Sequence, residues 1–246
     1  MTLPKPISMN IDRYVGGLEK FEKIKNPIKL SANESALGAS PQAIKAFEND
    51  KDKIFKYPES DSSTLRDVIS KKFNINANRI ICGAGSDQIF DLTCKLFLKQ
   101  NDEVIVSEFG FIMHRIYASL YGAKILLASE KNFTTSVDKI LKLVTIKTKI
   151  VFIANPNNPT GTYLKKKEML NLRKKLRSDI LLVVDDAYFE FMNKDNFISG
   201  LDLFKDSPNV LITRTFSKIY GLAGLRVGWG YSSKKIIDAM YQIKPP

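Results

Sequence analysis

The sequence is poor in the residues that build metal sites and disulfide frameworks. It has a single histidine, His114, and only two cysteines, Cys82 and Cys94. Zinc and iron–sulfur sites need several such ligands at characteristic spacings, and disulfide scaffolds need more cysteine pairs. We therefore expect neither a metal site of this kind nor a disulfide scaffold. No nucleophile motif lies near His114, which we interpret as a surface or packed helical histidine.

Long hydrophobic segments are also missing. The longest apolar runs, such as residues 180–184, are far shorter than the ~20 residues of a membrane helix. The opening MTLPKPISMN lacks the apolar stretch of a secretory signal. These features predict a soluble, cytoplasmic chain without a membrane partner.

Positive charge is in excess. The 38 Lys and Arg residues outnumber the 26 Asp and Glu residues and give a net charge of +12. Because the lysines are spread along the chain, and the densest run (165–167 and 174–175) has interspersed leucines, we interpret them as solvated faces. We expect no nucleic acid partner, and at most electrostatic steering of anionic small molecules.

Short apolar runs alternate with helical patterns from about residue 79 onward. Several runs are almost wholly apolar, as in strands that are covered on both faces. This alternation predicts a doubly wound, mostly parallel α/β sheet. The predicted strands are 79–82, 103–107, 124–128, 149–154, 180–185, 209–213 and 226–231, and the predicted helices include 41–49, 63–73, 87–98, 164–176 and 233–243.

Glycines in Cys82-Gly-Ala-Gly-Ser-Asp-Gln88 lie between a predicted strand and a helix. Free amides in the first turn of such a helix can bind a phosphate. A dinucleotide fingerprint would need glycine at position 88, where Gln88 stands, and no P-loop motif occurs. A monophosphate site and a plain strand-to-helix turn both stay open at this point.

Two further motifs follow predicted strands. The loop Asn155-Pro-Asn-Asn-Pro-Thr-Gly161 lies at the carboxyl end of a strand, where open α/β sheets bind ligands. Asp185 and Asp186 end the next strand. A carboxylate at the end of a buried strand needs a cationic or protonated partner; the alternative interpretation is an exposed Asp-Asp turn.

The segment from Thr213 to Gly230 places Lys218 in a glycine-rich loop beside hydroxyl groups, with Arg226 eight residues further on. A deprotonated lysine can form a Schiff base with an aldehyde. Thr215, Ser217 and Arg226 supply donors for phosphate oxygens. A basic surface loop is the alternative, although the apolar surroundings favour a buried position.

Taken together, these motifs resemble the fold-type I pyridoxal-phosphate enzymes, and among them the histidinol-phosphate aminotransferase group of class I/II aminotransferases. The resemblance runs from Tyr14 and Leu30-Ser-Ala-Asn-Glu34, through Lys56-Tyr57-Pro58-Glu59, to the final prolines. It implies an N-terminal arm with part of a small domain over residues 1–75 and a cofactor-binding large domain over 76–246. Family members continue beyond this point, so the resemblance also implies that the C-terminal small domain is absent.

The resemblance assigns roles to individual residues. It implies that Lys218 carries pyridoxal 5'-phosphate and acts as the general base, and that Asp185 pairs with the pyridine nitrogen. Asn158 and Tyr188 are expected at the ring oxygen, and Phe111 on the ring face. The phosphate is expected at Ser86, Asp87, Gln88, Ser217 and Arg226, with Thr215; Tyr57 is expected to reach the neighbouring subunit's cofactor in a homodimer; and Tyr14, Asn33 and Glu34 are expected on the substrate side.

The implied reaction is transfer of an amino group between an amine such as histidinol phosphate and 2-oxoglutarate, in histidine biosynthesis. An amino-acid phosphate decarboxylase with the same cofactor site, or a non-catalytic fragment, are the alternatives. The arginine that clamps the substrate carboxylate in the family falls outside this chain. Gln88 and Asp186 stand where relatives often have an acidic residue and Glu, respectively.

Overall fold

The computed structural model describes residues 11, 14, 16 and 28–245. Within them, seven strands form one sheet in the order β1-β7-β6-β5-β4-β2-β3. The strands are β1 (Ile80–Ala84), β2 (Glu103–Ser107), β3 (Lys124–Ala128), β4 (Thr148–Ala154), β5 (Leu181–Asp185), β6 (Val210–Thr215) and β7 (Val227–Tyr231). The expectation of a mostly parallel sheet is confirmed, because β7 alone runs antiparallel to its neighbours, β1 and β6.

Helices cover both faces of the sheet. They are α1 (Pro41–Asp50), α2 (Ser63–Phe73), α3 (Gly85–Phe97), α4 (Ile112–Leu120), α5 (Val137–Leu143), α6 (Lys166–Lys175), α7 (Gly200–Phe204) and α8 (Lys234–Ile243). Buried side chains of α3, α4 and α8 pack on one face, and those of α2, α5, α6 and α7 pack on the other. This is the doubly wound arrangement that covers a parallel sheet.

Local sequence signals set the starts of several helices. The Ser40 hydroxyl accepts a hydrogen bond from the Ala43 amide at 3.1 Å, and Pro41 occupies the first helical position of α1. Both are favoured at a helix N-terminus, because serine pairs a free amide and proline needs no partner for its nitrogen. Ser199 accepts from the Asp202 amide in the same way and starts α7.

Strand direction decides which ends meet at one edge. The carboxyl ends of β1, β2, β4, β5 and β6 lie together, and Ala84 of β1 pairs with Val227, the first residue of the antiparallel β7. The loop that enters β7 therefore lies at the same edge as the loops that leave the parallel strands. Ligands of open α/β sheets bind at this edge. No helix in the described part of the chain has the length and apolarity to span a membrane.

Candidate functional site

Two adjoining cavities open at the carboxyl edge of the sheet. The inner cavity, of about 200 Å³, is lined by every residue predicted to bind the cofactor except Gln88 and Tyr57. The outer cavity, of about 520 Å³, shares Lys218, Tyr188, Asn158 and Phe111 with it. The inner lining is Ala32, Glu34, Ser86, Asp87, Phe111, Asn158, Asp185, Ala187, Tyr188, Thr215, Ser217, Lys218, Ala223 and Arg226.

Lys218 lies in the loop after β6 and faces both cavities. Its Nζ donates a hydrogen bond to the Ala32 carbonyl at 3.1 Å and lies 5.5 Å from the centre of the Tyr188 ring. Gly221 in the same loop has a φ of +66°, and a side chain there would overlap the backbone of Gly38. The segment from Ala32 to Gly38 thus packs directly on the lysine loop and forms one wall of the site.

Asp185, at the carboxyl end of β5, is 4% exposed and borders the inner cavity. Its Oδ1 accepts hydrogen bonds from the Thr213 hydroxyl and the Ala187 amide, both at 3.2 Å. Its Oδ2 lies 3.6 Å from Nε2 of His114. A carboxylate this deeply buried is stable only with hydrogen bonds and a cationic or protonated neighbour. The cavity is therefore suited to a ligand that places a cationic or protonated group beside Asp185.

His114 is the residue near the site that the sequence did not assign to it. It is packed on α4 as expected, with its ring stacked on Phe152 at 4.8 Å, but its Nε2 also reaches Asp185. No hydrogen-bond partner for this buried Nε2 is found in the described ranges. Its spacing of three residues from Phe111 is a usable signal, because helical residues three apart share a face.

Hydroxyl groups and a guanidinium gather at the other end of the inner cavity. Ser86 lies in the first turn of α3, Thr215 ends β6, Ser217 follows that strand, and Arg226 precedes β7. The Thr215 hydroxyl donates to Ser217 Oγ at 2.9 Å, and Arg226 Nη1 donates to the same oxygen at 3.3 Å. A helix N-terminus surrounded by such donors is a typical anion site.

Asp87 borders this cluster. Its Oδ2 pairs with Nη2 of Arg226 at 3.1 Å, and its buried Oδ1 has no hydrogen-bond partner among the described residues. Burial raises the pKa of the Asp87 carboxyl, and the nearby Arg226 opposes that change. Arg226 itself has a φ of +52°, and its guanidinium lies over Gly85 at the start of α3.

Four predicted residues lie outside the inner cavity. The Gln88 side chain accepts a hydrogen bond from the Ala84 amide at 2.8 Å and so holds the end of β1 against α3. Tyr57 is 99% exposed. Tyr14 and Asn33 line the outer cavity, where Asn33 Nδ2 donates to the Tyr188 hydroxyl at 3.0 Å. Glu34, which the resemblance places on the substrate side, lines the inner cavity.

Two asparagines of the 155–161 loop bind backbone groups, and the third lines the cavities. Asn155 exchanges two hydrogen bonds with the backbone of Leu164, at 2.7 and 3.2 Å. Asn157 donates to the carbonyl of Phe109 at 3.3 Å. Both therefore hold the loop in place, while Asn158 between these anchors borders both cavities.

The alternative of an exposed Asp-Asp turn is wrong, because Asp186 is buried as well. Its carboxylate accepts from the amides of Gly200 and Leu201, and its Oδ2 lies 3.6 Å from Nη2 of Arg214. Burial raises the pKa of Asp186 to about 7, although Arg214 and both amides act in the opposite direction. The pair anchors β5 and β6 on the face away from the cavity.

Fold and site together define the class: the sheet, its helices and the lysine loop have the arrangement of the pyridoxal-phosphate-dependent transferases. The model of the family described as aminotransferase class I and II matches residues 25–246. The chain therefore belongs to the class I and II aminotransferase family. Among the described residues, no cluster of His, Cys, Asp or Glu could hold a metal ion.

Named relatives are consistent with this membership. The histidinol-phosphate aminotransferase of Pelagibacter ubique is 58% identical over 246 residues, all of this chain and 68% of its own length. That of Paramagnetospirillum magneticum is 43% identical over 99% of this chain and 67% of its own length. The chain thus spans about two thirds of these relatives.

Solved structures share the fold. The histidinol-phosphate aminotransferase of Sinorhizobium meliloti, in complex with pyridoxal-5'-phosphate, superposes with a TM-score of 0.83 at 26% identity, over 87% of this chain and 58% of that one. Aspartate aminotransferase from Thermus thermophilus with maleate superposes with a TM-score of 0.80 at 21% identity, over 87% of this chain and 59% of that one. The latter likeness concerns the fold alone.

Proposed function

We propose that this chain provides the cofactor site of a pyridoxal-phosphate-dependent aminotransferase. The enzyme transfers an amino group between an amine such as histidinol phosphate and 2-oxoglutarate. One observation carries this proposal: Lys218, the buried Asp185 and an anion-binding cluster around Ser217 and Arg226 border the same small cavity. Family membership and the names of the most similar relatives support it.

The chemistry of the cavity fits the cofactor. A carboxylate at one end and a cluster of hydroxyl and guanidinium donors at the other suit a ring with a basic nitrogen and a phosphate group. Phe111 and Ala187 supply apolar surface between these ends. We therefore assign Ser86, Thr215, Ser217 and Arg226 to the phosphate, and Asp185 to the ring nitrogen. Asn158 and Tyr188 would hold the ring oxygen.

The bound cofactor supplies an electron sink for the carbon that carries the amine, since its protonated ring accepts electron density. Asp185 would hold a proton on the ring nitrogen, because the resulting cation would stabilise its buried carboxylate. Its hydrogen bonds to Thr213 and Ala187 fix the direction of the carboxylate. The Asn33 amide likewise orients the Tyr188 hydroxyl.

Lys218 moves the proton. Its Nζ lies at the boundary between the inner and outer cavities, so it can reach a substrate in the outer cavity and the cofactor in the inner one. As a free amine, Nζ would take the proton from the substrate carbon that carries the amine. The Ala32 carbonyl, which accepts from Nζ, holds the amine at this boundary.

A second copy of the chain is the expected partner. Large apolar side chains between residues 28 and 57 are exposed, and Tyr57 and Leu37 are nearly fully so. Such a surface is typical of an interface, and the resemblance implies that Tyr57 reaches the partner's cofactor phosphate. Light scattering should therefore give the mass of a dimer, and a monomer at micromolar concentration would contradict this part. We expect the cytoplasm as its compartment.

The reaction is tested by one half of the amino transfer. The purified chain is loaded with pyridoxal phosphate and mixed with L-histidinol phosphate without an oxo acid, and released pyridoxamine phosphate is measured by chromatography. We expect conversion by the wild type and by Lys167→Ala, an exposed α6 lysine, and none by Lys218→Ala. Equal conversion by Lys218→Ala would refute the proposal, as would carbon dioxide release from an amino-acid phosphate in place of amino transfer.

A further inference from the structure

The outer cavity contains a positive group that none of the roles above uses. Arg115 lines this cavity together with Lys218, Tyr188 and Asn158. At about 520 Å³, the cavity has room beyond the reacting centre for the rest of a substrate. A substrate whose amine meets Lys218 would therefore extend toward the wall that includes Arg115.

Helix geometry explains why Arg115 faces this space. It lies on α4, four residues after Phe111, and both residues line the outer cavity. Helical side chains four apart lie on one face with about 5–6 Å between their Cβ atoms. Arg115 thus stands about one turn after Phe111 and, unlike Phe111, does not line the inner cavity.

Arg115 is half-buried. Within residues 28–245 and the three described positions before them, no carboxylate lies within 4 Å of its guanidinium and no hydrogen bond to it is formed. Two carboxylates line the same cavity. Asp87 is paired with Arg226, and the exposed Glu108 accepts a hydrogen bond from the Glu130 amide.

We infer that Arg115 binds an anionic group, specifically a phosphate monoester, at the end of the substrate remote from its amine. The inference deepens the proposed function and rests on it. A guanidinium is planar, always charged and able to donate two parallel hydrogen bonds, which suits phosphate oxygens better than any other side chain. Arg115 is therefore the residue that selects phosphorylated amines over neutral ones.

The test compares two ligands that differ only in the phosphate. The chain is loaded with pyridoxamine phosphate, so that an added amine binds without reacting, and the dissociation constants of L-histidinol phosphate and L-histidinol are measured by calorimetry. Arg115→Gln removes the group, Arg115→Lys retains its charge, and Lys95→Gln removes one charge from an exposed site on α3. Each charge-assisted contact is typically worth about 10- to 100-fold in affinity.

We expect Arg115→Gln to weaken histidinol phosphate about 10- to 100-fold and Arg115→Lys to weaken it less, with Lys95→Gln within about twofold of wild type. Histidinol should bind all four proteins equally. The inference is overturned by wild-type affinity of Arg115→Gln for histidinol phosphate, by equal losses for both ligands, or by a wild type without preference for the phosphorylated amine.

Failure of the proposed function gives a different result. In that case the pyridoxal-phosphate form of the wild type is not converted by histidinol phosphate, whatever the calorimetry shows. Conversion by the wild type together with phosphate-independent binding overturns the role of Arg115 alone.

Discussion

A single methyl group at Gly228 should displace the anion-binding end of the inner cavity. Gly228 is the second residue of β7 and lies against the start of α3. A Cβ at this position would stand 2.5 Å from both the carbonyl carbon of Gly85 and the nitrogen of Ser86. These are backbone atoms, so β7 and α3 must separate by roughly 1 Å to reach ordinary contact distances.

The size of the effect follows from what moves. Ser86 lies on α3 and Arg226 enters β7, so the separation pulls apart two groups assigned to the same phosphate. Loss of one charge-assisted hydrogen bond costs about 1.5–3 kcal/mol, or about 10- to 150-fold in cofactor affinity. Overpacking costs about 1–3 kcal/mol in the free energy of unfolding.

The assay is a titration of the apo chain with pyridoxal phosphate, followed by absorbance, for Gly228→Ala and Gly224→Ala. Gly224 is a matched control, because an added Cβ there has no neighbour within 4 Å. We expect the Gly228 variant alone to lose affinity and the Gly224 variant to bind within about twofold of wild type. Wild-type affinity of Gly228→Ala, or equal losses in both, would refute the reasoning.

Three further predictions concern stability and reactivity. Asn155→Ala leaves both backbone groups of Leu164 unpaired, at about 1–3 kcal/mol each, so urea unfolding should show a loss of at least about 2 kcal/mol; a smaller loss would contradict this. The pKa of Asp186 lies at about 7 in the folded chain, above its usual ~4, so the stability it contributes is present at low pH and lost as pH rises from about 4 to 7. Asp186→Asn should remove this decrease of the free energy of unfolding with pH, measured by urea unfolding between about pH 4 and 7. The same decrease in the variant as in the wild type would contradict the prediction. Burial raises the pKa of Cys82 to about 11 and that of Cys94 as well; neither thiol should react with a thiol reagent at neutral pH until the chain unfolds.

Strand bounds were predictable because apolar runs end where a strand leaves the core. The predicted bounds of β2 and β3 are those of the structure, and the others differ by one or two residues. The antiparallel direction of β7 could not be predicted, since a short apolar strand has the same pattern in either direction. That direction is what brings Arg226 to the carboxyl edge.

The site was predictable where a motif follows a strand. Asn158 and Lys218 follow β4 and β6, and Asp185 ends β5. The carboxyl ends of these parallel strands meet at one edge, so the three residues come together regardless of the conformation of the loops. The contact of His114 with Asp185 and that of Arg214 with Asp186 depend on packing between residues distant in sequence. No local pattern indicates such partners, and the Gln88 side chain, expected at the phosphate, instead binds the Ala84 amide.

The central claim is that Lys218 is the residue that holds the cofactor. It is tested most directly by reducing the chain with borohydride in the presence of pyridoxal phosphate and mapping the modified peptide by mass spectrometry. We predict one stoichiometric pyridoxyl group on Lys218 and none on the many exposed lysines, because Lys218 is the one lysine among the described residues that lines a cavity with Asp185 and the anion cluster. Label spread over several lysines, or the same yield from Lys218→Ala, would contradict the account.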